Sequence, residues 1–157
     1  MIHDLLMLSG AAVAFVLSAI IWTLAALHLY WGRGGFWPEE NEVALARTVV
    51  GAPGIREMPS DTACYTVAFV LFLAGCWPLS AFLGLPPSPL PSELTVLAGY
   101  GLAIAFLARG VAAYLPAWRE RFPEEPFATN DRRLYGPLCL LIGLAFAFLL
   151  SLGWITP

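Results

Sequence analysis

The side chains in this sequence with chemistry to offer inside apolar stretches are few: His28, Arg109, Asp131, Tyr30, Trp31 and Tyr135, with the thiols Cys64, Cys76 and Cys139. A histidine can give or take a proton near neutral pH, an arginine holds an anion through a rigid fork of N–H donors, and a carboxylate can balance that arginine. The spacing rules out several uses of these groups. His3 and His28 lie at opposite ends of one apolar run, roughly 37 Å apart at about 1.5 Å per helical residue, so one chain cannot offer both to a haem iron. Zinc needs three or four ligands, and His28 with Cys139 or Cys64 supplies too few. No metal and no cofactor is expected. A cysteine nucleophile would need His28 as its base, and Cys139 is conceivable as its partner only because both fall near the same membrane surface. Cys64 and Cys76 stand roughly 18 Å apart on one helix, too far to bridge, and the thiols read as small buried hydrophobes.

These groups are carried by a chain of 157 residues that is 59% hydrophobic and 12% charged, against about 25% charged residues in a soluble domain. That composition excludes an ordinary water-soluble fold. All eight basic residues are arginines, opposed by eleven acids, and no polybasic tract invites nucleic acid. A bilayer core about 30 Å thick needs about 20 apolar residues of helix. Four segments qualify, at about 5–30, 63–85, 94–115 and 134–154, so the expected fold is all-α: one integral membrane domain, 1–157, built as a four-helix bundle of two helical hairpins. Asp4 stands where a signal peptide would carry a basic flank, so the first segment reads as a permanent span.

The arginines orient the bundle. Arg33, Arg47 and Arg56 follow the first span, and the other five lie between Arg109 and Arg133, whereas the Pro86–Glu93 connection and both termini have none. The positive-inside rule then puts the first and third connections in the cytoplasm and both termini outside. Pro116 stops the third span, Pro137 falls in the first turn of the fourth, and Pro78 should kink the second. Trp31, Trp37, Trp118 and Trp154 lie near span ends, as an aromatic belt would. Pro38-Glu39-Glu40 with Val43, Leu45 and Val49 suggests a short interfacial helix. Phe36-Trp37-Pro38-Glu39-Glu40 and Phe122-Pro123-Glu124-Glu125 also share a faint likeness, compatible with either coincidence or a parallel repeat.

Helix contacts in lipid favour small residues. Gly10, Ala14, Ser18, Ala25 and His28 form one such face on the first span, and Gly101, Ala105, Arg109 and Ala113 recur every four residues on the third. His28 and Arg109 are therefore expected to point inward at the cytoplasmic end, as parts of one cluster with Asp131. Each also has a plainer reading: His28 bonded to a carbonyl or water, Arg109 snorkelling to headgroups over roughly 9 Å, and Asp131 capping the fourth helix. The functional alternative is a shared polar cavity in which Asp131 is the counter-charge of Arg109.

The pieces His28-Leu29-Tyr30-Trp31 with Gly34-Gly35 and Trp37-Pro38, then Arg109-Gly110, then Phe127, Asp131 and Tyr135-Gly136-Pro137-Leu138-Cys139-Leu140 resemble, in the same order, a family of small bacterial membrane proteins called domain of unknown function 3995. The resemblance implies a four-helix fold in a bacterial cytoplasmic membrane and directs attention to the ends of the helices that carry these motifs. It implies no activity.

Two classes of function remain. In one, His28, Tyr30, Trp31, Arg109, Asp131 and Tyr135 hold a membrane lipid, a quinone-like molecule or a partner subunit. In the other, a small enzyme acts on an apolar substrate with an anionic head, using His28 as acid or base and Arg109 as the anion holder. The short inventory of reactive groups favours binding. The orientation has a direct test on a background lacking the three native cysteines. Ser88→Cys should react with an impermeant thiol probe from outside, and Glu124→Cys only after permeabilisation; the reverse pattern would invert the topology.

Overall fold

The computed structural model describes residues 2–83 and 92–152. The proline-rich Pro86–Pro91 turn, Ser88 within it, and Trp154 lie outside the described residues, as does the side chain of His3. Every element among the described residues is helical: α1 (Ile2–Trp31), α2 (Glu42–Val49), α3 (Asp61–Leu83), α4 (Ser92–Ala112), α5 (Pro116–Arg121), α6 (Phe127–Asn130), a π-helical turn (Asp131–Tyr135) and α7 (Gly136–Ser151). Four runs are long and apolar enough to cross a membrane: Asp4–Trp31, Asp61–Ser80, Glu93–Ala112 and Phe127–Ser151. Their outward surfaces suit lipid, with Phe69, Leu97, Ile104 and Leu141 each more than 60% exposed. In water such surfaces would form a large adhesive patch.

The fourth run starts at Phe127, well before the apolar stretch that begins at Leu134, because α6, the π turn and α7 follow one another without a break. Pro137 therefore lies inside a long helical run. A proline ring crowds the carbonyl four residues earlier, here Arg133, and the wider π turn that precedes it accommodates that carbonyl. Asp131 is likewise inside the run, with helical φ −60° and ψ −42°, and does not act as an N-cap. Pro78 sits within α3 without ending it. The short helix after the first span is α2, opened by Asn41, whose side-chain oxygen accepts from the Ala44 amide.

α1 packs along α3, and α4 along α7, with α1 and α7 also in contact. The core between them is formed by Ala14, Leu17 and Ile21 of α1, Ala74 and Trp77 of α3, Ala103 of α4, and Ile142, Phe146 and Leu149 of α7. Trp77 joins three helices: its ring meets Phe146 at 5.5 Å between centroids, its indole N–H donates to the Thr95 carbonyl at 2.9 Å, and its edge fills the space a Cβ at Gly99 would take. On α1 the expected face is inward, with Ala14, Ser18 and Ala25 all buried. On α4 it is not: Gly101 and Ala105 are exposed, and the buried line is Gly99, Ala103 and Gly110. At 3.6 residues per turn a strict four-residue repeat precesses about 40° per step, so a stripe of four residues drifts about 120°. Gly101 thus faces out, Ala113 is fully buried, and Arg109 lies between them with about a third of its side chain exposed.

Close approach of α4 and α7 depends on glycine. A Cβ at Gly143 would come within 2.7 Å of the Leu107 side chain and 2.9 Å of its backbone nitrogen, whereas one at Gly101 would meet nothing within 4 Å. Gly143→Ala should therefore force the helices apart and lower the melting temperature in detergent, at a cost of about 1–3 kcal/mol. Gly101→Ala should be neutral or slightly stabilising, by up to about 1 kcal/mol from helix propensity. Equal melting temperatures for the two variants would disprove this packing.

Candidate functional site

The two connections that carry the arginines fold together at one end of the helices. Arg47 of α2 pairs with Glu124 at 3.3 Å. Glu124 also accepts from the Gly54 amide at 3.0 Å and gives its own amide to the Gly51 carbonyl. Phe127 closes over Gly51, which has φ +69° and no room for a Cβ, since one would lie 2.2 Å from the ring. The Tyr135 hydroxyl donates to the Thr48 carbonyl at 3.1 Å, and buried Thr48 donates its own hydroxyl to Glu39 at 2.8 Å. Phe122, Phe127 and Tyr135 meet in series through tilted ring contacts, with centroids 6.0 and 5.9 Å apart.

At the base of this cap is a charge pair. The Arg109 guanidinium donates to Asp131 at 2.6 Å, and the Trp118 indole N–H donates to the other carboxylate oxygen at 2.9 Å. The guanidinium also lies over the Trp118 ring, 4.9 Å from its centroid. Asp131 is 2% exposed, and these two donors give each of its carboxylate oxygens a partner. Backbone proximity makes the contact possible. A Cβ at Gly110 would stand 2.9 Å from the Gly136 carbonyl, and one at Gly136 2.9 Å from the Ala113 Cβ, so the residues following Arg109 and the π turn have to be small. Asp131 is the counter-charge of Arg109, and the cap reading gives way to it.

His28 takes part in a different system. Its Nδ1 stands 2.8 Å from the Leu24 carbonyl, and its ring meets Trp31 at 5.0 Å. A carbonyl can only accept, so in the neutral ring Nδ1 carries the proton and Nε2 presents its lone pair. His28 and Trp31 line a cleft of about 160 Å³ whose other walls are Val49, Val50, Met58, Pro59, Ala63, Cys64 and Val67. Trp31 is fixed by donating to the Trp37 carbonyl at 2.8 Å, and Tyr30 is turned outward over Gly35. Five of the six candidate residues thus divide. Arg109, Asp131 and Tyr135 join the cap to the helices, His28 and Trp31 line the cleft, and among the described residues no hydrogen bond, ion pair or ring contact links the two sets. The single cluster expected of His28, Arg109 and Asp131 is replaced by an ion pair and a separate histidine.

Sequence reasoning missed Trp118 as a ligand of Asp131, because a tryptophan near a span end reads first as belt. It also missed the wall that α2 and the chain before α3 lend to the His28 cleft. The thiol sharing that cleft is Cys64, not Cys139; the three cysteines are free. Among the described residues no group of three or more His, Cys, Asp or Glu side chains is placed to hold a metal.

Compared with known families, the chain matches the family described as Protein of unknown function (DUF3995) over residues 21–146. That stretch includes the cap, the ion pair and the His28 cleft. No curated protein and no solved structure matches the chain.

The pair has a thermodynamic signature. Arg109→Ala and Asp131→Ala should each cost about 2–3 kcal/mol, the lower end for a buried pair because Arg109 is partly exposed. The double variant should cost clearly less than the sum. Asp131→Asn, which keeps an acceptor for Trp118 but loses the charge, should fall between wild type and Asp131→Ala. Additive losses and a silent Asp131→Asn in detergent melting would show that the contact carries no coupling.

Proposed function

This chain belongs to the family of unknown function DUF3995, and we propose that it is a membrane-embedded binding protein that takes the hydroxyl-bearing head of a lipid or quinol-like amphiphile into the His28 cleft. One observation carries this reading: His28 spends Nδ1 on its own helix, leaving Nε2 as a hydrogen-bond acceptor at a cleft whose other walls are mainly apolar. A volume of about 160 Å³ is below the 300–1,000 Å³ of pockets that enclose whole ligands. Only a head group enters, and its tail stays in the bilayer. Val67, on the cleft wall, is 42% exposed on the outward side of α3, which gives that tail a way out.

The arrangement in the membrane is part of the proposal. The arginine-bearing end faces the cytoplasm, both termini lie outside, the packing of α1 on α3 and α4 on α7 makes two hairpins, and the membrane is the bacterial cytoplasmic one. Support comes from the arginine distribution and the contact partners. Arg109, Asp131 and Tyr135 act here by holding the cap against the cleft, and Tyr30, turned outward over Gly35, stands apart from it. The competing reading, an enzyme with His28 as acid or base, draws on Cys64 lying in the same cleft.

Native mass spectrometry of gently extracted protein tests the proposal. Wild type should retain a hydroxyl-bearing amphiphile near one per chain, and His28→Leu should lose it while melting as wild type does. No retained amphiphile, or equal retention by His28→Leu, would refute binding at this cleft. Conversion of the retained molecule by wild type but not by His28→Leu would replace binding with catalysis.

A further inference from the structure

We infer that Arg119, Arg121, Arg132 and Arg133 form a second binding surface, one for the phosphate headgroups of anionic lipids. The structure sorts the charges of this region. Arg47 and Arg109 use Glu124 and Asp131 as partners. Glu125 is occupied by the amide and hydroxyl of Thr129. Glu120 is the one carboxylate left between residues 115 and 135. Arg119, Arg121, Arg132 and Arg133 are all exposed, and among the described residues none of them has an acidic partner.

Two hydrogen bonds bring the arginine-bearing segments together. The Tyr114 hydroxyl donates to the Arg132 carbonyl at 3.1 Å, and Trp118 donates to Asp131 at 2.9 Å, so α5 lies alongside the π turn. The seam between them has Arg119 and Arg121 on one segment and Arg132 and Arg133 on the other; Arg121 lies over the Phe122 ring, 5.9 Å from its centroid, and Arg132 Nε donates to the Ala128 carbonyl at 3.4 Å. Tyr114, Leu115 and Leu134 adjoin the same seam and are 48–57% exposed.

That mixture fixes the ligand. Exposed leucines beside a tyrosine at the end of an apolar helix belong at the boundary of the hydrocarbon, with tyrosine at headgroup depth. Arginines a few residues away then meet the phosphate layer, and their planar N–H forks suit its paired oxygens. A soluble phosphate could satisfy the same forks but has no reason to sit at that depth. This surface is separate from the His28 cleft, which is built by α1, α3 and the chain around α2.

The test uses the full chain in phosphatidylcholine nanodiscs containing spin-labelled phosphatidylglycerol, with the motionally restricted lipid fraction as readout. Wild type should prefer phosphatidylglycerol over spin-labelled phosphatidylcholine, and salt should weaken the preference. The preference should fall stepwise as the arginines are removed. Arg119→Gln/Arg121→Gln is the first variant, since α5 has no buried side chain and should tolerate it; adding Arg132→Gln and Arg133→Gln should remove the preference. Arg33→Gln/Arg56→Gln is the control and should keep it. An unchanged preference in the quadruple variant would overturn the surface, as would an equal loss in the control. Displacement of the labelled lipid by free glycerol phosphate would assign the site to soluble phosphates instead. His28→Leu should leave this readout untouched, so the two proposals fail separately.

Discussion

A carboxylate sealed from solvent at the start of the last helix determines much of what surrounds it. Asp131 is 2% exposed, and an isolated ionised carboxyl in that position would be prohibitively costly. Arg109 supplies the opposite charge and Trp118 the second donor, so residues from α4, α5 and the π turn must converge on one carboxyl group. Buried pairs often add little net stability, because desolvation offsets their attraction. The pair ties α4 to the turn that leads into α7, and Gly110 and Gly136 allow the backbones the necessary approach.

From that point the polar contacts extend outward. The π turn that starts at Asp131 ends at Tyr135, whose hydroxyl reaches α2 at Thr48. Thr48 passes to Glu39, and the neighbouring Arg47 pairs with Glu124. Two connections far apart in sequence thereby become one cap, and α2 and the chain that follows it contribute Val49, Val50, Met58 and Pro59 to the wall around His28. The ion pair does not touch His28. It bears on the cleft through the cap, which is a mechanical connection and not an electrostatic one.

The helices were legible because a membrane leaves little freedom: about 20 apolar residues form a helix, and the charges must fall at its ends. The inward face of α1 was legible too, since Gly10, Ala14, Ser18, Ala25 and His28 use mixed three-, four- and seven-residue steps that hold one direction. The α4 face was misread because its uniform four-residue step rotates away from any fixed direction. The start of the fourth helix was hidden for another reason. Hydropathy counts Asp131, Arg132 and Arg133 as loop, yet Asp131 enters the helix once its charge is met by groups more than ten residues away. The His28 cleft was illegible because its walls come from the chain around α2, which has no apolar run to announce where it packs.

The division of labour bears on the choice between binding and catalysis. Arg109 spends one terminal nitrogen on the Asp131 carboxylate at 2.6 Å, while its other, Nη1, is buried without a hydrogen-bond partner. A histidine with Nδ1 held by a carbonyl keeps one nitrogen to exchange a proton, and general acid–base turnover needs a route to restore it. Cys64 is the nearest thiol, but its sulfur lies 3.8 Å from the Pro59 carbonyl, an acceptor that can only engage the neutral S–H form. On the reading proposed above, one acceptor nitrogen in a small, largely apolar cleft suffices to hold a hydroxyl head.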